Sequence, residues 1–342
     1  MPRALLLGGT GAIGVATALR LRAGGWDVTV TSRDAARVPP PLAVAGVRHV
    51  AGDRGDARHL AVALGAGADL LVDAACHDAD HARAVTPLLS DVASIVMISS
   101  KAVYVDGAGR HANSAEPPRF GGPILETQAT VRPDARALDA GAAYASAKVA
   151  AEEVLLACGA PVSVLRPSKV HGAWSRRPRE WIFVRRVLDG RDELLLRGGG
   201  RGADHPSAAA NVAALIETVA RVPETRILNA ADPDCPTVRQ IAQTVAAALG
   251  HTWREIDVPV PDMSGVGRTP WDHDPPVRLD TRAASALGYQ PVGDYATTVR
   301  EELDWLVTTA RQPDGSQWLP GPGDPFFAPL LDYASEDVWL AA

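Results

Sequence analysis

An apolar run over residues 3–8 ends directly in Gly8-Gly9-Thr10-Gly11-Ala12-Ile13-Gly14, and the Ala-rich stretch behind it can continue as a helix. Glycines at three-residue intervals let a backbone turn tightly where a strand becomes a helix, and let it come close to a bound group. A pyrophosphate at such a turn meets main-chain N–H groups and the positive end of the helix. A glycine triplet alone is a weak signal; placed between the first strand and the first helix, it predicts a dinucleotide site. Gly8, Thr10, Gly11, Ala12, Ile13 and Gly14 are its candidate residues.

The first half of the chain repeats this alternation. Apolar runs at 27–32, 47–52, 69–75, 94–100 and 162–167 are separated by Ala-rich amphipathic stretches, and a further run lies at 226–232. Near-continuous apolar character suits strands covered on both faces, and βα repetition suits a parallel sheet. The expected fold is therefore α/β, a Rossmann-type doubly wound parallel sheet with a smaller, discontinuous C-terminal substrate subdomain. Residues 1–167 form the dinucleotide-binding part in this reading, rejoined by about 203–232. Residues 168–202 and 233–342 form the substrate subdomain and the C-terminal tail. Residues 317–340 are unusually aromatic, which predicts packing against the body ahead of a lid or an oligomer contact.

The chain has 34 Lys and Arg against 40 Asp and Glu, with no long basic run, which argues against a nucleic acid as the main partner. Cys76, Cys158 and Cys235 lie far apart and form no CxxC, so neither a disulfide framework nor a zinc knuckle is indicated. The N-terminal apolar run is broken by glycines, and no later stretch reaches membrane-spanning length. The expectation is a soluble, cytoplasmic protein without a membrane partner. His77 and His81 have a spacing that can bind a metal, yet Asp78 stands where H-E-x-x-H carries its Glu. They are read as polar groups at a helix start, and no metal site is expected.

The end of the second strand selects the dinucleotide: an acid there holds a ribose 2′-OH, a basic residue a 2′-phosphate. Ser32 and Arg33 occupy it, while Asp34 is placed to cap a helix starting at Ala35. NADP is accordingly preferred to NAD. Asp53, with Arg54 beside it, ends the third strand in position for an adenine amino group. Ala74 and Ala75 end the fourth and are small enough to let a cofactor pass close to the sheet.

Ser99 and Ser100 tip the fifth strand and alternate in direction, so only one faces the cleft. Tyr144 and Lys148, four residues apart, share one helical face. A phenol, with an ordinary pKa near ~10, is a poor base at neutral pH; a neighbouring ammonium and an oxidised nicotinamide both favour its phenolate. In this arrangement Ser100 holds a substrate oxygen, Tyr144 exchanges a proton and Lys148 tunes Tyr144. Glu152 and Glu153 are read as a solvated helix end.

These motifs, in this chain order, resemble the extended short-chain dehydrogenases/reductases, the NAD-dependent epimerase/dehydratase family. "GGTGAIG", "GDRGD", "ISSKAVY", "YASAK" and "LRPSKVHG" are similar to that family's motifs. The resemblance implies the catalytic roles of Ser100, Tyr144 and Lys148, cofactor contacts at the glycines and Asp53, and a nicotinamide carboxamide passing the backbone between Pro167 and Val170. It also implies a homodimer. Ser100, Lys101 and Ala102 replace the Thr-Asp-Glu of sugar-nucleotide 4,6-dehydratases, which removes the acid/base pair for eliminating water. His171 stands where Tyr is usual, and no clear Asn opens the substrate loop. Lys101, His171 and Arg176 are the substrate candidates. The expected function is NAD(P)-dependent hydride transfer to or from a carbonyl or secondary alcohol of a small metabolite. A sugar-nucleotide epimerase with tightly bound NAD and a non-catalytic dinucleotide sensor are the alternatives.

Overall fold

The computed structural model describes residues 1–135, 139–261, 264–312, 319–321 and 323–342. In chain order its strands are β1 (Arg3–Leu7), β2 (Asp27–Ser32), β3 (Arg48–Ala51), β4 (Ala68–Asp73), β5 (Val92–Ile98), β6 (Val162–Pro167), β7 (Val170–His171), β8 (Glu193–Arg197), β9 (Ser207–Ala208), β10 (Arg226–Ala230) and β11 (Arg254–Val258). The helices are α1 (Ala12–Ala23), α2 (Pro40–Val44), α3 (Ala57–Leu64), α4 (Ala79–Val85), α5 (Ala143–Leu156), α6 (Trp181–Leu188), α7 (Ala209–Arg221), α8 (Val238–Ala248), α9 (Arg282–Ala286), α10 (Tyr295–Thr298), α11 (Arg300–Ala310) and α12 (Tyr333–Ala341). They fall into two compact units. One comprises Met1–Val170, Ser207–Ala231 and Leu279–Val292, the other His171–Pro206, Asp232–Arg278 and Gly293–Ala342.

The first unit is built on one parallel sheet in the order β10-β6-β5-β4-β1-β2-β3. Each of the seven apolar runs supplies one strand, and the run at 226–232 joins as an edge strand. The order reverses where β1 lies between β2 and β4, so Leu7 is in register with both Thr31 and Asp73. Ligands of such sheets sit beyond the carboxyl ends of the strands at that reversal. Alternation along β1 sends Leu5 and Leu7 to one face, where they pack with Leu71, Ile95, Met97 and Val164 from the sheet. Leu60 and Leu64 of α3, Val85 of α4, and Ala151 and Leu155 of α5 cover them.

The second unit has its own core around Trp181, Phe183, Trp253, Trp271, Tyr295 and Phe327. Strands β8 and β11 pair in parallel within it. Helix α8 opens with the capping box Thr237/Gln240, as the Thr-Val-Arg-Gln sequence requires. Of the aromatic tail, residues 319–321 and 323–340 are described, and Phe327 is buried in this core, which is the packing role. Among the described residues no helix is long and apolar enough to cross a membrane.

Candidate active site

The glycine turn after β1 is shaped by contacts that leave no room for side chains. Gly8 has φ +77°, and a Cβ there would stand 2.9 Å from the Cβ of Ala75. A Cβ on Gly14 would meet the Gly9 Cα at 2.5 Å, so α1 can lie against the loop only through a glycine. Gly11 differs: among the described residues no atom lies within 4 Å of a Cβ built there, and no side chain caps α1. Uncapped N–H groups beside an open cradle fit the phosphates of a dinucleotide.

Ser32 ends β2 with its hydroxyl 2.8 Å from His49 Nε2, and Arg33 is exposed. Asp34 caps the short turn Ala35–Arg37 by accepting from Ala36 N at 2.9 Å, the structural role read for it. Asp53 is exposed and accepts from Gly55 N at 2.8 Å. Arg54 turns inward and forms a buried ion pair with Asp73 at the end of β4. Ala74 and Ala75 are half-buried beside the glycine turn, with Ala74 N donating to Leu7 O at 3.0 Å. Pro167 is buried and Val170 half-buried; Lys169 between them has φ +39°.

Strand β5 stops at Ile98, so both serines lie just beyond it. Ser100 caps the turn Lys101–Val103, its Oγ accepting from Ala102 N at 3.2 Å. That turn packs against α5. In the first turn of α5, Tyr144 is 48% exposed. One turn on, Lys148 is buried and donates to Cys76 O at 2.6 Å and Ile98 O at 3.0 Å, with its Nζ 6.0 Å from the Tyr144 ring. Desolvation lowers the Lys148 pKa below the ordinary 10.5, against the raising influence of Cys76, Asp73 and Glu152.

Glu152 is not at a solvated helix end. It is buried one turn beyond Lys148 and accepts from the Ser99 hydroxyl, from Arg166 Nε at 3.1 Å and from Arg166 Nη2 at 2.5 Å. Arg166 in turn lies 4.8 Å from the Tyr104 ring, and Tyr104 donates to Asn229 Oδ1 at 2.6 Å. An Arg inside the apolar run 162–167, with a Glu four residues after Lys148, was the available sequence signal.

The remaining candidates are placed as follows. Lys101 is half-buried in the turn after Ser100, and Arg176 is exposed in the second unit. His171 is wholly buried in that unit, with Nε2 donating to Asp232 Oδ2 at 2.8 Å; this carboxylate makes its burial tolerable. Asp78 caps α4 by accepting from His81 N at 2.9 Å, and His81 Nδ1 accepts from His77 N at 3.2 Å, the polar helix start read for that segment.

A family model described as the NAD dependent epimerase/dehydratase family matches residues 4–227. No curated protein sequence matches the chain. Among solved structures, a UDP-glucose-4-epimerase of Stenotrophomonas maltophila with bound NAD and formylated UDP-arabinopyranose superposes with TM-score 0.69 at 17% identity, over 91% of this chain and 99% of that one. A putative epimerase of Burkholderia cenocepacia gives TM-score 0.69 at 20% identity, covering 90% and 98%. A dTDP-glucose 4,6-dehydratase double mutant of Streptomyces venezuelae gives 0.68 at 21%, covering 92% and 98%. At these identities the likeness is one of fold.

Proposed function

Because the chain belongs to the NAD dependent epimerase/dehydratase family, we propose that it catalyses hydride transfer between a nicotinamide dinucleotide and a carbonyl or secondary alcohol, with Tyr144 moving the proton. The observation that carries this reading is the contrast along one turn of α5, where an exposed phenol is followed by a buried ammonium held by the Cys76 and Ile98 carbonyls. Those two hydrogen bonds orient the Lys148 ammonium, so its charge acts on Tyr144 from a preorganised position. Ser100, on the turn packed against α5, orients the substrate oxygen toward the phenol. Gly8, Gly11, Gly14 and the first turn of α1 hold the dinucleotide phosphates, and Asp53 the adenine. When bound, the nicotinamide accepts or supplies the hydride.

Ser32 and Arg33 at the tip of β2, with Asp34 committed to its cap, favour NADP over NAD. Absence of the Asp-Glu pair after Ser100 speaks against elimination of water. The Stenotrophomonas epimerase motivates a second reading, epimerisation of a sugar nucleotide with a retained NAD. The two differ in stoichiometry. Incubation of the purified protein with NADPH and a panel of small carbonyl compounds is expected to consume nicotinamide absorbance. Tyr144→Phe is expected to lower kcat/KM by about 10²–10⁴ while still binding the dinucleotide. A variant as fast as the wild type would remove Tyr144 from the chemistry, and turnover of a UDP-sugar without net loss of NADPH would favour the second reading.

A further inference from the structure

Within the second unit, His171, Glu180 and Glu302 converge, one ligand-capable atom from each lying within 4.8 Å of the others. All three are buried, none more than 1% exposed. Each is oriented by a partner that engages one of its two polar side-chain atoms. His171 Nε2 donates to Asp232 Oδ2 at 2.8 Å, the Tyr295 hydroxyl donates to Glu180 Oε1 at 3.1 Å, and Gly172 N donates to Glu302 Oε2 at 2.7 Å. The other atom of each, His171 Nδ1, Glu180 Oε2 and Glu302 Oε1, has no hydrogen-bond partner among the described residues. Unmet polar atoms in an interior are destabilising, and native proteins seldom leave three together.

We propose that His171, Glu180 and Glu302 form a binding site for a divalent transition-metal ion of the zinc type. In the neutral imidazole that a metal requires, donation from Nε2 to Asp232 leaves the lone pair on Nδ1, the carboxylate–histidine pairing that orients imidazole ligands. One imidazole nitrogen and two carboxylate oxygens suit a borderline cation, and two carboxylates balance its charge. Tetrahedral ligands at about 2.0–2.2 Å from zinc stand about 3.3–3.6 Å apart, so binding draws the three side chains inward by roughly an ångström. The ion would join the segment at His171 to the start of α6, which Glu180 directly precedes, and to the first turn of α11, which holds Glu302. Its role is structural and independent of the hydride-transfer reading.

The test uses the full chain, stripped with a chelator and then dialysed against micromolar zinc. Elemental analysis is expected to find one retained equivalent, with a rise in melting temperature on zinc addition. Cobalt substituted for zinc is expected to give visible d–d absorption. Glu302→Gln and Glu180→Gln are each expected to weaken binding at least 100-fold. His81→Ala is expected to keep the full equivalent, since the ion is not at the His77/His81 pair. Folded wild-type protein that retains under a tenth of an equivalent would overturn the proposal, as would unchanged binding in both Gln variants or loss of the metal in His81→Ala.

Discussion

Glu152 and Glu302 are both buried, one in each unit, and they are held in opposite ways. Glu152 faces the Arg166 guanidinium through both oxygens and receives the Ser99 hydroxyl as well. Glu302 receives one backbone N–H, sits near a second carboxylate and approaches His171 Nδ1 only to 4.0 Å. The first is in direct contact with a cation and satisfied in hydrogen bonds; the second, among the described residues, touches no guanidinium in this way and keeps one oxygen without a hydrogen-bond partner. Burial of an acid therefore says little by itself, and its partners separate a scaffold from a site that needs a cation or a proton. The scaffold also serves the chemistry. By tying α5 to β6, the Glu152–Arg166 pair holds the helix that carries Tyr144 and Lys148.

The contrast is sharpened most by Arg166→Met. Removing the guanidinium leaves the Glu152 carboxylate buried with the Ser99 hydroxyl as its remaining hydrogen-bond donor and without its ion-pair contact, a loss of about 3–5 kcal/mol. Urea unfolding at neutral pH measures it. The double variant Arg166→Met with Glu152→Leu is expected to recover most of the loss, because it removes both charges together. A single variant within about 1 kcal/mol of the wild type would mean that Glu152 is not balanced by Arg166 in the way described.

The same chemical change should act differently on the two glutamates. Glu152→Gln places an amide donor against a guanidinium donor and is expected to cost about 1.5–3 kcal/mol. Glu302→Gln, in chelator-stripped protein, is expected to be neutral or stabilising within about 1 kcal/mol, since a neutral amide replaces a carboxyl that faces Glu180 and its oxygen can keep the Gly172 bond. Desolvation, and next the charge of Glu180, hold the Glu302 carboxyl well above its ordinary 4.5. Its proton is thus bound more tightly in the folded chain. The stability it confers is complete below the unfolded value and is lost as pH rises through the folded one. Stripped wild-type protein should accordingly lose stability above pH 4.5 with a slope that Glu302→Gln lacks, measured by urea titrations at successive pH values.

The parallel sheet was legible because its evidence is local: apolar runs, the glycine turn and the Ala-rich helices recur at short range. Tyr144 and Lys148 were legible for the same reason, being one helical turn apart. Glu152 was misread as solvated because a Glu-Glu pair near a helix end looks like surface; its partner Arg166 lies on a different strand, inside an apolar run. The His171–Glu180–Glu302 cluster had no local pattern at all. Its members come from three segments brought together only by packing of the second unit, so no spacing could announce it.

The finest test of the paired cluster is Ser99→Ala. The Ser99 hydroxyl donates to Glu152 Oε1, which also accepts from Arg166 Nε at 3.1 Å, so losing the hydroxyl removes one hydrogen bond without orphaning the carboxylate. The expected cost is about 1 kcal/mol, well below that of Arg166→Met. Ser99 and Ser100 then separate by function. Ser99 is 4% exposed and turned toward Glu152, whereas Ser100 is half-buried on the turn packed against α5. Ser99→Ala is expected to lower the urea midpoint and leave kcat/KM within about twofold, while Ser100→Ala lowers kcat/KM by at least about tenfold. If Ser99→Ala instead abolished turnover in folded protein, the buried cluster would belong to the reaction itself, and the division between scaffold and site drawn from Glu152 and Glu302 would fall.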